Sequence, residues 1–163
     1  MALSADLPPP VPVVVTLPPD IGVASLYQEI ILSHYRAPRH KGVLEGASAA
    51  VEHRNPLCGD VMSVQLVLDN GRIVDAAFTA SACSITQATA SMLLTRVIGA
   101  SVDDARAVLT QIEQLLDGSS AADPIDREQL GDLRALASVA RFPARKACVR
   151  LVTAAVGEAL DAG

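Results

Sequence analysis

Apolar residues recur along this chain with two periods, and the change of period divides it. Val64, Leu66 and Leu68 alternate with Ser63, Gln65 and Val67, the pattern of a strand with one buried face. Asp69-Asn70-Gly71 then predicts a tight turn into a strand over Ile73–Thr79, so the two strands pair antiparallel. Val51–Arg54 predicts a shorter strand before them. From Ser84 the period lengthens, and Ile85–Ile98 predicts a buried helix ending at Gly99. Ser101 with Asp104 is a capping box for a helix running to about Leu116 and ending at Gly118. Beyond a loop containing Pro124, a shorter helix is predicted around Arg127–Ser138. Pro143 suits the first turn of a last helix, whose apolar positions Cys148, Leu151, Val152, Ala155, Val156, Ala159 and Leu160 follow helical spacing. Near the start, Ser25 and Gln28 predict a capping box for a helix bearing Leu26, Tyr27, Ile30 and Ile31, stopped by Pro38. Strands first and helices after predict an α+β domain: a small antiparallel sheet of about three strands with helices packed on one face.

Composition adds boundaries. Pro8, Pro9, Pro10, Pro12, Pro18 and Pro19 crowd the first 22 residues, which predicts an extended, disordered leader over 1–22 and a single domain over 23–163. The 163 residues are half hydrophobic but only 2% aromatic, so the core is built of aliphatic side chains and few rings exist for stacking bases. A net charge of -5 argues against nucleic acid or an anionic membrane as the main partner. The charge-free stretch Ala76–Thr95 is broken throughout by Ser, Thr and Gln, which is not a membrane span. The short apolar run Val13–Val15 lacks a preceding basic region, so a secretory signal is not expected and a cytoplasmic location is the default.

The three cysteines are an odd number, which disfavours a closed disulfide framework. Each sits at a break between elements. Cys58 lies in the turn Asn55-Pro56-Leu57-Cys58-Gly59-Asp60, Cys83 at the mouth of the buried helix, and Cys148 in the first turns of the last helix. The helix amides at Cys83, and Arg141, Arg145 and Lys146 before Cys148, are expected to favour thiolate, which is both nucleophile and metal ligand. Against this, a free cysteine is commonly a small core hydrophobe, and the spacing contains no C-x-x-C pair. Gly59 frees the backbone so that Cys58 and Asp60 could turn toward one ion, and a Cys3Asp set suits a four-coordinate metal. A solvated turn aspartate is the bland alternative. A carboxylate in place of a fourth thiolate is expected to make such a site labile. His34, His40 and His53 are read as surface or hydrogen-bonded histidines and stay outside the ligand set.

Four ordered motifs make the pattern specific. Asn55-Pro56-Leu57-Cys58-Gly59-Asp60, Cys83-Ser84-Ile85 with its Ser/Thr/Ala-rich helix, Phe142-Pro143-Ala144-Arg145-Lys146-Ala147-Cys148, and the stretch His34 to Gly42 together resemble the IscU/NifU-like iron–sulfur cluster assembly family. The resemblance spans Ser25 to Leu160 and is stronger toward the SufU type. The connection from Cys83 to Cys148 is longer than in IscU-type scaffolds, and Ala147 stands where those carry histidine. SufU-type proteins usually have lysine there; here Lys146 is one place earlier, and Ala82 replaces a common glycine.

This resemblance implies an IscU/SufU-like fold and zinc held by Cys58, Asp60, Cys83 and Cys148. It implies a SufS-type cysteine desulfurase as partner, which forms a persulfide using pyridoxal phosphate, and downstream iron–sulfur assembly or acceptor proteins. The expected activity is that of a zinc-dependent sulfurtransferase accepting persulfide sulfur, with Cys58 the favoured acceptor and Cys148 the alternative. Two alternatives stand beside it. One is a scaffold on which a transient iron–sulfur cluster is assembled and released. The other is a non-catalytic, zinc-stabilised interaction module.

Overall fold

The structure, a computed structural model, describes residues 19–118 and 129–163, with side chains from residue 25 onward. Three strands form one antiparallel sheet in the order β1 (Ala49–Arg54), β2 (Val61–Asp69), β3 (Arg72–Ser81). The alternation read along β2 is the burial pattern observed: Met62, Val64 and Leu66 are fully buried. Val51 of β1 and Phe78 of β3 lie opposite Val64, so one face of the sheet is apolar across all three strands. Asn70 and Gly71, both at positive φ, make the two-residue turn between β2 and β3.

The helices cover that apolar face. α1 (Pro19–Arg36) packs on α2 (Ser84–Val97), which lies beside β3 and the last helix. α3 (Val102–Asp117), a 3-10 helix (Gly131–Val139) and α4 (Pro143–Ala162) complete the layer, with α4 against β1 and β2. The expected apolar face of α4 is buried from Cys148 to Leu160. Ser101 caps α3 by accepting from the Asp104 amide, and Gly118 closes it in the left-handed conformation. The α+β architecture expected from the order of periods is the one observed.

Three local expectations are corrected. α1 begins at Pro19, so Ser25 is interior to it and caps nothing. Proline is tolerated in a first helical turn, where its missing N–H has no partner to lose. Residues 19–22 are therefore helical rather than extended, while 1–18 lie outside the described residues, as does the loop over 119–128. The short helix expected around Arg127–Ser138 is α-helical at 129–130 and becomes a 3-10 helix over Gly131–Val139. Gly131 has φ +59, which breaks an α-helix at that point. The edge of β3 is covered by a segment without strand periodicity: Gly42 donates to the Phe78 carbonyl and the Phe78 amide to that of His40.

Candidate functional site

The three cysteine-bearing breaks meet at one corner, where the β1–β2 loop, the start of α2 and the second turn of α4 converge. The loop over 55–60 is shaped by its own sequence. Asn55 Oδ1 accepts from the Leu57 amide, Gly59 donates to the Asn55 carbonyl, and Asn55 donates to the Asp60 carbonyl. Gly59 stands at φ +74 with open space around it, so the glycine serves the backbone angle and not close packing. The loop presents Leu57, 92% exposed, and the exposed Cys58 at its tip, and returns Asp60, 7% exposed, into the protein.

Asp60 is fixed against the start of α2. Its Oδ2 accepts from the Cys83 amide at 3.2 Å and from Thr86 Oγ1 at 3.0 Å. Burial raises the Asp60 carboxyl, but those two donors together with the thiols of Cys83 and Cys58 outweigh it and hold it below its ordinary value. Cys83 occupies the N-cap of α2 in an extended conformation, and its sulfur lies 3.5 Å from Thr86 Oγ1. Cys148, 8% exposed, places its sulfur 3.3 Å from that of Cys83 and 4.0 Å from Asp60 Oδ2.

The thiolate expected at Cys148 is not favoured by the surroundings. Burial first, then the hydrogen bond with Cys83 and the charge of Asp60, push its thiol up to about 12. Arg141 and Arg145 are exposed to water and do not offset this. Any ion binding there must displace a proton that the protein alone retains.

The donor set fits a four-coordinate metal ion. One ligand atom each from Cys58, Asp60 and Cys148 lie within 4.8 Å of one another. A tetrahedron with metal–sulfur bonds of about 2.3 Å has edges of roughly 3.7 Å, so a modest contraction closes the set. The expected fourth ligand, Cys83, lies outside that group of three, though its sulfur is 3.3 Å from that of Cys148. Sequence reasoning missed Thr86, whose hydroxyl orients the carboxylate. The available signal was a hydroxyl residue three places after Cys83, at the start of a helix.

The histidines lie apart from this cluster in their bonding. His34, 3% exposed, bonds Ser91 Oγ and Asp132 Oδ2, each at 2.7 Å. His53 pairs with Glu158, and His40 is exposed at positive φ. No helix among the described residues is long and apolar enough to cross a membrane.

Comparison with known proteins agrees with the motif reading. The profile of the NifU-like N terminal domain family matches residues 26–149. The chain is 38% identical over 127 residues to the zinc-dependent sulfurtransferase SufU of Bacillus subtilis (strain 168), covering 78% of this chain and 84% of that one. It is 37% identical over 135 residues to the iron–sulfur cluster assembly scaffold protein IscU of Streptococcus pyogenes serotype M1, covering 83% and 82%. The crystal structure of a SUF-system protein (FiSufU) from Fervidobacterium islandicum AW-1 superposes with a TM-score of 0.74 at 26% identity, over 83% of this chain and 97% of that one.

Proposed function

The chain belongs to the NifU-like N-terminal domain family of iron–sulfur cluster assembly proteins, and from that premise we propose that it is a zinc-dependent sulfurtransferase, taking persulfide sulfur from a SufS-type cysteine desulfurase. The observation that carries this reading is the asymmetry of the ligand corner. Cys58 stands exposed at a loop tip, while Asp60 and Cys148 are buried behind it. One thiol can therefore meet a partner's persulfide while the others stay in the wall.

Cys58, Asp60, Cys83 and Cys148 are the residues that would hold the ion. Bound zinc keeps coordinated thiols deprotonated at neutral pH. In transfer, the Cys58 sulfur attacks the outer sulfur of the desulfurase persulfide. A new S–S bond forms on Cys58, and the desulfurase cysteine leaves as thiolate. Asp60 and Thr86 hold the start of α2 in place, and Leu57 offers an apolar contact beside the nucleophile. Downstream iron–sulfur assembly or acceptor proteins would receive the sulfur.

A second reading, assembly of a transient iron–sulfur cluster on the same thiols, is supported by the near-equal identity to the Streptococcus pyogenes scaffold protein. Ala147, lacking a ring nitrogen, weighs toward transfer. A purely zinc-stabilised module is disfavoured by the extent of the apolar core, which runs through all three strands and every described helix. The deciding experiment measures metal content of anaerobically purified protein and its effect on a SufS-type desulfurase. One zinc per chain, with turnover stimulated by the wild type and lost in Cys58→Ser, supports transfer. Little zinc, with a reconstituted cluster passing to an apo-acceptor, overturns it in favour of the scaffold.

A further inference from the structure

Cys83 and Cys148 are closer to each other than a metal site requires. Their sulfurs are 3.3 Å apart, against roughly 3.7 Å for two thiolates on one tetrahedral ion and about 2.05 Å for a disulfide. Cys83 is the N-cap residue of α2, with extended backbone and no cap hydrogen bond from its side chain, so that side chain can rotate while its carbonyl keeps the first helical bond, from the Gln87 amide. Cys148 sits on a rigid, buried helical face. Cys83 is half-buried and within reach of a small oxidant, whereas Cys148 is not.

We propose that loss of the metal arms a redox switch in which peroxide joins Cys83 to Cys148. It rests on the reading above only in taking these residues as metal ligands. Hydrogen peroxide oxidises the Cys83 thiol to a sulfenic acid and leaves as water. The Cys148 sulfur then attacks the Cys83 sulfur, the S–O bond breaks, and hydroxide departs with the Cys148 proton as a second water. Two thiols and one peroxide give one disulfide and two waters. The linked form retains only Cys58 and Asp60 of the ligand set, so it cannot reload until a dithiol reductant reopens the bond. Cys58, the exposed sulfur acceptor, stays a thiol. The switch therefore removes the metal-binding state while sparing the outer nucleophile from permanent capture in the pair.

The test uses the full chain, stripped of metal by chelator under reductant and then treated with one equivalent of hydrogen peroxide. The expected product has lost the mass of two hydrogen atoms and yields, after digestion, a linked pair of peptides containing Cys83 and Cys148. Its zinc affinity, read with a chromogenic chelator, falls by more than about 100-fold and returns with dithiothreitol. Cys58→Ser should form the same link. Cys148→Ser should stop at a Cys83 sulfenic acid that a dimedone-type reagent traps, and zinc-loaded wild type should resist. A link between Cys58 and Cys148, or oxidation confined to Cys58 with the other two thiols intact, overturns the proposal. If the link forms in a chain that never stimulates a desulfurase, the transfer reading fails and the switch stands. If stimulation requires Cys58 and no link forms, the reverse holds.

Discussion

Helix α2 carries two buried polar clusters, one at its first turn and one at its middle. At the middle, Ser91 Oγ accepts from the Arg39 amide at 2.8 Å and hydrogen-bonds His34 Nδ1, while His34 Nε2 hydrogen-bonds Asp132. Both ring nitrogens of His34 and the Ser91 hydroxyl thus have partners. At the first turn, Asp60 is satisfied by Cys83 and Thr86, while the thiols meet one another, the Thr86 hydroxyl and the Asp60 carboxylate. Sulfur is a weak donor and a weak acceptor, so these contacts leave strong ligand atoms uncommitted. The closed cluster has no capacity for a ligand and ties α1, α2 and the 3-10 helix together. The open cluster stabilises little by itself and is suited to an ion.

The largest effect that separates them is on metal affinity. Cys148→Ser removes one of the four proposed donors, and since structural zinc sites bind with on the order of 10–16 kcal/mol in total, affinity should fall by at least about 100-fold. Competition with a chromogenic chelator measures this, with His34→Ala as the control that should bind normally. If His34→Ala also loses metal, the two clusters are coupled through α2 and the distinction fails. The next effect runs the other way. His34→Ala removes the partner of the buried Ser91 hydroxyl and leaves a cavity, costing about 2–3 kcal/mol of unfolding free energy. Urea titration should show it, while Cys58→Ser should leave metal-free stability nearly unchanged because Cys58 is exposed.

Asp60 belongs to both descriptions, and its substitution sharpens the comparison. Its Oδ2 already serves the Cys83 amide and Thr86, so the carboxylate alternates between the helix start and an ion. Asp60→Ala should therefore lower the stability of the metal-free chain by about 1–2 kcal/mol. It should also slow metal release to a chelator, because the competing, easily withdrawn ligand is gone. Faster release in Asp60→Ala would show the carboxylate to be an anchor and not a labile arm.

Much of this was readable along the chain where the signal is local. The alternation of β2, the Asn70-Gly71 turn, the Ser101 cap and the face of α4 each depend on neighbours within one or two turns. The edge pairing of His40 and Gly42 with Phe78 was not, because it joins segments without strand periodicity. Nor was the 3-10 helix, where a positive φ at Gly131 ends the α-helical residues 129–130 and a tighter helix follows. The ligand corner stood between these cases. The spacing of Cys58, Cys83 and Cys148 carries almost no information, and only the motifs around them pointed to a common site. The basic residues before Cys148 misled, since Arg141 and Arg145 are exposed and Lys146 is half-exposed while the sulfur is buried.

That burial gives the smallest of the expected effects, and its sign follows from the two protonation states. The Cys148 thiol ordinarily titrates at 9.0, and in the folded, metal-free chain it is pushed up to about 12. Below pH 9 it is protonated in both folded and unfolded chains and contributes no pH dependence. Above that, the unfolded chain releases the proton while the folded one keeps it, so the stability present below pH 9 is lost as pH rises toward 12. Between pH 9 and pH 10 the loss is on the order of 1 kcal/mol. Other groups titrate in this range, so the measurement is a difference: urea midpoints of wild type and Cys148→Ala, both metal-free, across pH 8 to 10.5. The wild type should lose more stability than the variant as pH rises. The His34 cluster holds no thiol, so His34→Ala should keep the wild-type slope. Equal slopes for wild type and Cys148→Ala would mean that the buried sulfur is solvated in solution, and the corner would then be open to water even without its ion.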